Sequence, residues 1–329
     1  MKMDTLISWI ARVIVALLQS LPLIWVARIG RAAGTLLFWL DAKHRRVALG
    51  NLEMCFGKEK TPDEIRAIAK ENVKRIVENV ACALKTASMS LEELRPHVEI
   101  VGIERVQPPR PLVVALGHFG NFELHARMGE FSPGSQCATT YRARKLPKLN
   151  RLAQSLRERS SCLFFERQTD GERLRTAMHL PNIALGLLAD HHAGLHGLRG
   201  PFLGHDCSTS HSVAVFAQRY NCDLLVSICY RVGIARWKVE YGEVIPTREN
   251  GKLRSPGEIM REVNREFEEA VRRDPANWFW VHRRWKPLKS KRARAEHAGL
   301  TPQLPDKLQK TEAENSNSTP EQGLSSQLQ

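Results

Sequence analysis

The sequence predicts an α/β fold: a mostly parallel central sheet flanked by helices, preceded by an apolar helical segment at the N-terminus. Three observations carry this. Short apolar runs alternate with amphipathic stretches from Leu112 onward, the pattern of strand–helix–strand units. A clean helical period occupies the region just after Thr61, and the first forty or so residues are unusually apolar.

Taken in order, "LISWIARVIVALLQSLPLIWVA" (Leu6 to Ala27) is long enough to cross a bilayer, although Arg12, Gln19 and Pro22 interrupt it. A second block, "AAGTLLFWL", follows Arg28 and Arg31. No small-residue cleavage site follows the first block, so the segment is expected to be retained as a membrane attachment, spanning the bilayer or lying in it. Arg28, Arg31, Lys43, Arg45 and Arg46 load its C-terminal side with positive charge, which keeps the following domain cytoplasmic. "TPDEIRAIAKENVKRIVENVACAL" starts a helix with Thr61 as cap, Pro62 at the first position and Glu64 closing a capping box. Its apolar residues Ile65, Ile68, Val73, Ile76, Val77, Val80 and Leu84 then recur at helical spacing.

Strands are expected at Leu112–Leu116, Gln136–Tyr141, Cys162–Phe165, Ile183–Ala189, Asp223–Tyr230 and Arg236–Tyr241. Helices are expected around Phe122–Glu130, Pro147–Arg159, Gly171–His179 and Ser210–Tyr220, with another through "SPGEIMREVNREFEEAVRRD". From about Lys289 the chain loses its large apolar side chains and turns basic, then polar, the composition of a disordered tail.

Composition narrows the function classes. Apolar residues at 43% are too few for a polytopic membrane protein. The net charge of +14 favours an anionic partner. Aromatics at 7%, with no basic-aromatic interleaving, argue against nucleic acid and leave lipid or an acidic protein. Seven scattered cysteines without a CxxC pair suit a reducing compartment.

Chemistry concentrates around "LVVALGHFGNFELHA". His118 and Glu123 sit five residues apart and would face apart on a continuous helix. They can meet if His118 lies in the turn before the helix. Gly117 and Gly120 loosen that turn, and Asn121 is expected to cap a helix starting near Phe122. A histidine held by a carboxylate is an oriented general base; the plainer alternative is a turn histidine followed by an ordinary first-turn glutamate. A second strand ends in Asp190 and opens into a Gly-rich loop, so His118 and Asp190 should face one crevice at the carboxyl ends of the sheet. That loop finishes in "CSTS", where Ser208, Thr209 or Ser210 could cap the next helix and present its N-terminus to a phosphate. The histidine-rich stretch (His191, His192, His196, His205 with Asp206), joined by His118, His125 and Asp190, also raises a metal-dependent hydrolase; no HExxH or comparable spacing supports it.

These residues carry a resemblance. "GHFGNFE" resembles the H-x4-D/E signature of glycerolipid and lysophospholipid acyltransferases, and the chain as a whole resembles the bacterial lipid A biosynthesis acyltransferase family. "YRARKLPKLNRL" is similar to the family's Tyr-Arg block, "LLADHHAG" to its strand ending in aspartate, "GPFLGHDCSTS" to its Pro-Phe-Phe-Gly loop, and "NWFWVHRRWK" to its closing block. The chain departs from the family at His191 and His192, and at Cys207 and His211, on the side where an acceptor would sit.

Three regions are expected: 1–45 a membrane-associating helical segment by its apolar pattern, 46–288 the acyltransferase domain by the resemblance, and 289–329 a disordered polar tail by composition. The resemblance implies transfer of a fatty acyl chain from a thioester, on acyl-carrier protein or coenzyme A, to a hydroxyl of a lipid A precursor, another glycolipid or a lysophospholipid. The setting would be the cytoplasmic face of a bacterial inner membrane, with no cofactor, no metal and no nucleic acid. In the implied mechanism His118 deprotonates the acceptor hydroxyl, Glu123 orients His118, and backbone N–H groups of Gly120 and Asn121 receive the oxyanion. Arg142 and Asp190 join the site by the same resemblance, Arg142 as a donor to phosphate or oxyanion and Asp190 to sugar hydroxyls or to the arginine.

Overall fold

The structure, a computed structural model, describes residues 3–143 and 146–287. The expected tail, 289–329, lies outside the described residues. Ten α-helices are described: α1 (Met3–Ser20), α2 (Leu23–Leu40), α3 (Ala42–Phe56), α4 (Pro62–Thr86), α5 (Leu91–Leu94), α6 (Met128–Phe131), α7 (Pro147–Arg157), α8 (Gly171–Ala177), α9 (Ser212–Arg219) and α10 (Pro256–Arg273). The strands are β1 (Val98–Val101), β2 (Leu112–Leu116), β3 (Gln136–Tyr141), β4 (Leu163–Glu166), β5 (Ile183–Leu188), β6 (Leu198–Phe202), β7 (His205–Thr209), β8 (Asp223–Gly233) and β9 (Arg236–Tyr241), with a minor pair β10 (Arg248–Glu249) and β11 (Lys252–Leu253).

Seven strands form one sheet in the order β1-β9-β8-β2-β5-β3-β4. All neighbours run parallel except β8 and β9, which pair antiparallel across a short turn. The α/β class and the mostly parallel sheet are therefore as the sequence predicts. β2 is central and buried along its whole length, as expected for a strand covered on both faces. On β5, Ile183, Leu185 and Leu187 face the core shared with α9, α10 and Trp278. Ala184, Gly186 and Leu188 face the other way, toward the layer holding Leu124 and Met128.

The expected apolar block from Leu6 to Ala27 is not one helix. It breaks at Ser20–Leu21–Pro22, because Pro22 lacks the N–H that would continue α1. Beyond the break, α2 (Leu23–Leu40) is by itself apolar and long enough to cross a membrane. It lies tightly against α4: a Cβ on Gly30 would fall 2.8 Å from the Glu78 Cα, and one on Gly34 would fall 2.6 Å from that of Lys74. Arg31 on α2 pairs with Glu71 at 2.9 Å and with the fully buried Glu78 at 3.1 Å. Glu78 also accepts from Arg231 on β8 at 2.7 Å, which ties the N-terminal helices to the sheet. The outer faces of α1 and α2 leave Trp9, Leu17, Trp25, Leu36, Trp39 and Leu40 exposed.

α4 begins with the expected capping box of Thr61 and Glu64. Several elements have no counterpart in the sequence pattern, among them β1 and the β6–β7 hairpin. β1 is only four residues long and sits at the sheet edge, too short to show a period. The Gly-rich loop after Asp190 folds largely into the β6–β7 hairpin, whose turn, Leu203 and Gly204, takes two positive φ values (50° and 78°), the backbone of a two-residue hairpin turn.

Candidate active site

The site is built where β2 and β5 end side by side. Leu116 pairs with Leu188, and Ala189 N–H donates to the Leu116 carbonyl at 2.9 Å, so His118 and Asp190 emerge together. The turn between them and the next helical segment is held by the closing block. Phe119 bridges Trp278, and Gly120 N–H donates to the Asn277 carbonyl at 3.0 Å. Gly120 has φ of 50°, and a Cβ there would collide with the Cys229 carbonyl, so this position requires glycine. After Asn121 the chain makes a 3-10 turn, Phe122–Arg127, and only then the short α6. The α-helix expected at Phe122–Glu130 is thus mostly 3-10, and the Asn121 side chain makes no cap.

Asp190 is fully buried and accepts three hydrogen bonds. Its Oδ1 receives His118 Nδ1 at 2.8 Å; its Oδ2 receives the His118 backbone N–H at 2.8 Å and Trp278 Nε1–H at 2.8 Å. Burial by itself would push this carboxyl up. The facing His118, its hydrogen bonds and the His191 ring beyond it outweigh burial and hold the group well below the usual carboxylate range. With Nδ1 bonded to Asp190, the remaining His118 nitrogen, Nε2, is the one available to a substrate proton. His118 lines a cavity of about 450 Å³ bounded by α4, Phe279 and Arg157.

A second, narrower cavity of about 110 Å³ runs along the sheet face, over Leu112, Val114 and Leu116 of β2 and Ala184, Gly186 and Leu188 of β5. Its lining is dominated by apolar side chains. Phe122, Glu123, Ala126, Arg157 and Phe164 line both cavities, so the two meet beside His118. Half-buried Arg157 lies over the rings of Tyr141 and Phe164, at 4.9 and 5.4 Å, and supplies the cation at this junction.

The expected site residues separate into four groups. His118, Asp190, Gly120 and Asn121 come together. Glu123 is exposed at the junction and makes no hydrogen bond to His118; the carboxylate on the ring is that of Asp190. The reason is the 3-10 turn, which carries Glu123 to the cavity mouth while the strand pairing brings Asp190 alongside. Of the backbone donors expected for an oxyanion, Gly120 N–H is already taken up by the Asn277 carbonyl. Ser208 and Thr209 lie in β7, not at a helix start. Ser208 Oγ donates to the Gly194 carbonyl at 2.6 Å, and Thr209 Oγ1 receives Arg284 at 2.6 Å. Both are buried, and α9 begins later, at Ser212, so neither is placed to cap it for a phosphate. Arg142 is exposed on the segment leaving β3 and lines neither cavity; the neighbouring Arg144 and Lys145 lie outside the described residues.

Several contributors do not stand out in the sequence. Trp278 and Arg284 sit in "NWFWVHRRWK", which the sequence marks only as similar to the family's closing block, without singling out either residue. Arg284 is fully buried and binds the carbonyls of His191 (3.1 Å) and Ser208 (2.5 Å). His191 stacks face to face on His118, with ring centroids 3.7 Å apart and planes 6° apart. His118, Asp190 and His191 offer ligand atoms within 4.8 Å of one another. The two rings lie parallel, and the His118 Nδ1 edge is closed by its hydrogen bond to Asp190. Elsewhere in that stretch, His205 bonds the Met54 carbonyl at 2.8 Å, and Asp206 pairs with Arg199.

His125 lies behind the site against Ser227, its Nε2 at 3.1 Å from the hydroxyl. Burial pushes its pKa down from 6.5 to about 4, a Phe122 carbonyl bond opposing weakly. Well above pH 6.5 the ring is neutral whether the chain is folded or not. Between 6.5 and about 4 the unfolded chain binds a proton that the folded one refuses, so stability falls as pH drops through that window. His125→Gln, which keeps an amide for Ser227, is expected to flatten the fall of melting temperature between pH 6.5 and 4 and leave it unchanged near pH 8. An equally steep acid slope in the variant would assign it to other groups.

A comparison with curated proteins returned no match. A family profile does match, over residues 2–287, and it spans both strands, the paired His118 and Asp190 and the closing block that supports them. The chain belongs to the bacterial lipid A biosynthesis acyltransferase family.

Proposed function

We propose that the protein moves a fatty acyl chain from a thioester donor, on acyl-carrier protein or coenzyme A, to a hydroxyl of a lipid A precursor, with His118 as general base. The observation that carries this is the pairing of His118 with Asp190 at the point where an apolar cavity meets a larger one. The acceptor hydroxyl enters the 450 Å³ cavity and gives its proton to His118 Nε2. The acyl chain lies in the narrow cavity along β2 and β5, with its thioester at the Phe122–Arg157 junction. Attack on the thioester carbonyl forms a tetrahedral oxyanion; its collapse expels the thiolate, which takes up a proton as the thiol. The Asn121 side chain supports a donor role here, since its Nδ2 is buried without a partner and Asn121 lines the His118 cavity. Arg157 is suited to a phosphate of the donor arm or of the acceptor.

The N-terminal helices are assigned to the cytoplasmic face of the inner membrane, lying in the interface. Three exposed tryptophans (Trp9, Trp25, Trp39) and the basic residues after them support that placement, as does the packing of α2 on α4. Under this reading 1–45 associates with the membrane, 46–288 is catalytic, and Arg142 meets headgroup phosphate near the surface. Another glycolipid or a lysophospholipid is the alternative acceptor.

Gly186 tests the acyl cavity. It lies mid-strand opposite Val114, and even a Cβ there would approach the Leu116 side chain to 2.9 Å. Gly186→Leu is expected to shift the preferred donor to shorter chains when purified protein is offered a series of acyl thioesters and a lipid A precursor, with products read by mass spectrometry. An unchanged chain-length profile in a folded variant would place the acyl chain elsewhere.

A further inference from the structure

His191 does nothing in the reaction as proposed, yet its position is tightly specified. Its ring lies on His118 in near-perfect parallel overlap, at 3.7 Å, and its other face carries His282 at 4.1 Å. His282 is anchored in turn through Nδ1 to the Phe279 carbonyl at 2.8 Å, and Phe279 tilts over His118 at 5.7 Å. The His191 backbone is clamped as well: Arg284 holds its carbonyl, His192 bridges Thr209, and Ala193 N–H donates to the Ser208 carbonyl at 3.2 Å. Phe122 closes the outer side of His118 edge-on at 4.7 Å. The base is therefore enclosed between an aromatic edge and a column of imidazoles.

We propose that His191 is a positioning residue for His118: its ring fixes the plane of the base and shares the positive charge that the base gains when it accepts a proton. The proposal rests on His118 acting as the base. A cation face-on to an aromatic ring is attracted to it, provided that ring is itself uncharged. His191 meets that condition, because burial, opposed by Asp190 and reinforced by His118, His282 and Arg284, pushes its pKa down to about 3. The charged or titratable groups around the stack are Asp190 just past the end of β5, His282 and Arg284 from the closing block, Glu123 from the 3-10 turn, Arg75 and Arg127 across the cavity, and Arg157 from α7. Of these, Asp190 alone bonds the His118 ring, and it does so in the ring plane, leaving the face to His191.

The test is the pH dependence of kcat/KM for the full-length protein with His191→Phe and His191→Leu, alongside thermal melting of each. Phenylalanine keeps a ring face; leucine keeps bulk but has none. His191→Phe is expected to retain turnover within a few-fold and to keep the acid limb of the profile where it is. His191→Leu is expected to lose roughly 10-fold in kcat and to move the acid limb to lower pH, because protonated His118 loses its stacking partner. Equal losses in the two variants, or an acid limb that stays fixed or moves to higher pH in His191→Leu, would overturn the proposal. Matched melting temperatures separate a lost stack from a lost fold. If His118→Ala keeps wild-type turnover, the base assignment fails first and takes this proposal with it.

Discussion

Replacing His118 with alanine is expected to lower acyl transfer by roughly 10³-fold, the contribution of a well-placed general base. A lipid hydroxyl is a weak nucleophile while protonated, and among the described residues the other proton acceptor at the junction of the two cavities is the Glu123 carboxylate, a weaker base than an imidazole. His191 is stacked away behind His118, and Arg157 is a cation. The substitution also removes one of three donors to buried Asp190, so some loss of stability accompanies it. His118→Gln separates the two effects, since its amide can still donate to Asp190 but cannot take a proton. Both variants should be inactive, and the glutamine form should melt closer to wild type. The measurement is lipid mass spectrometry of cells expressing each form, with turnover of purified protein beside it. Variant lipids carrying the same added chain as wild type would refute the mechanism.

Much of this arrangement is legible in the sequence, for reasons that differ by element. β2, β3, β5 and β9 declare themselves because a strand covered on both faces, or on one face with strict alternation, leaves a local pattern. β1 and the β6–β7 hairpin do not. One is too short, and the other is built from glycines, a proline and polar residues whose pairing is set by a turn at Leu203–Gly204. In the site, His118 and Asp190 are recognisable as strand-end residues of one crevice. Their direct bond is not, because it depends on register: Leu116 opposite Leu188 brings together residues 72 positions apart. Local spacing favours the nearer carboxylate, Glu123, on the assumption of an α-helix where a 3-10 turn changes the direction of that side chain. The partners of Asp190 and His191, namely Trp278, His282 and Arg284, come from the far end of the domain. Nothing in "NWFWVHRRWK" taken alone distinguishes a tryptophan that fills a core from one that also donates to a catalytic carboxylate.

Which carboxylate orients the base is decided by a paired substitution, and here the expected contrast is large. Asp190→Asn keeps size and shape, yet the geometry leaves its amide only one workable orientation. Two N–H donors, from the His118 backbone and Trp278, point at the Oδ2 position, so the asparagine oxygen must occupy it. The NH2 group is thereby forced to the Oδ1 position, facing His118 Nδ1 at the present 2.8 Å. An amide N–H there can only donate, so Nδ1 must become the acceptor and the ring proton must move to Nε2. Nε2 is the atom that has to receive the substrate proton; once protonated it is no longer a base. The variant should therefore fold and bind lipid normally while losing about 10² to 10⁴-fold in kcat, the penalty expected for holding a catalytic imidazole in the wrong tautomer. Glu123→Gln changes an exposed group that makes no bond to the ring, and its cost should stay within about tenfold, mostly in KM, through contacts at the cavity junction. The opposite ranking, with Glu123→Gln crippling and Asp190→Asn mild, would mean that substrate draws His118 off Asp190 and onto Glu123 before reaction. A conformational step would then stand between this structure and the working enzyme, and the Asp190 bond would be its resting latch.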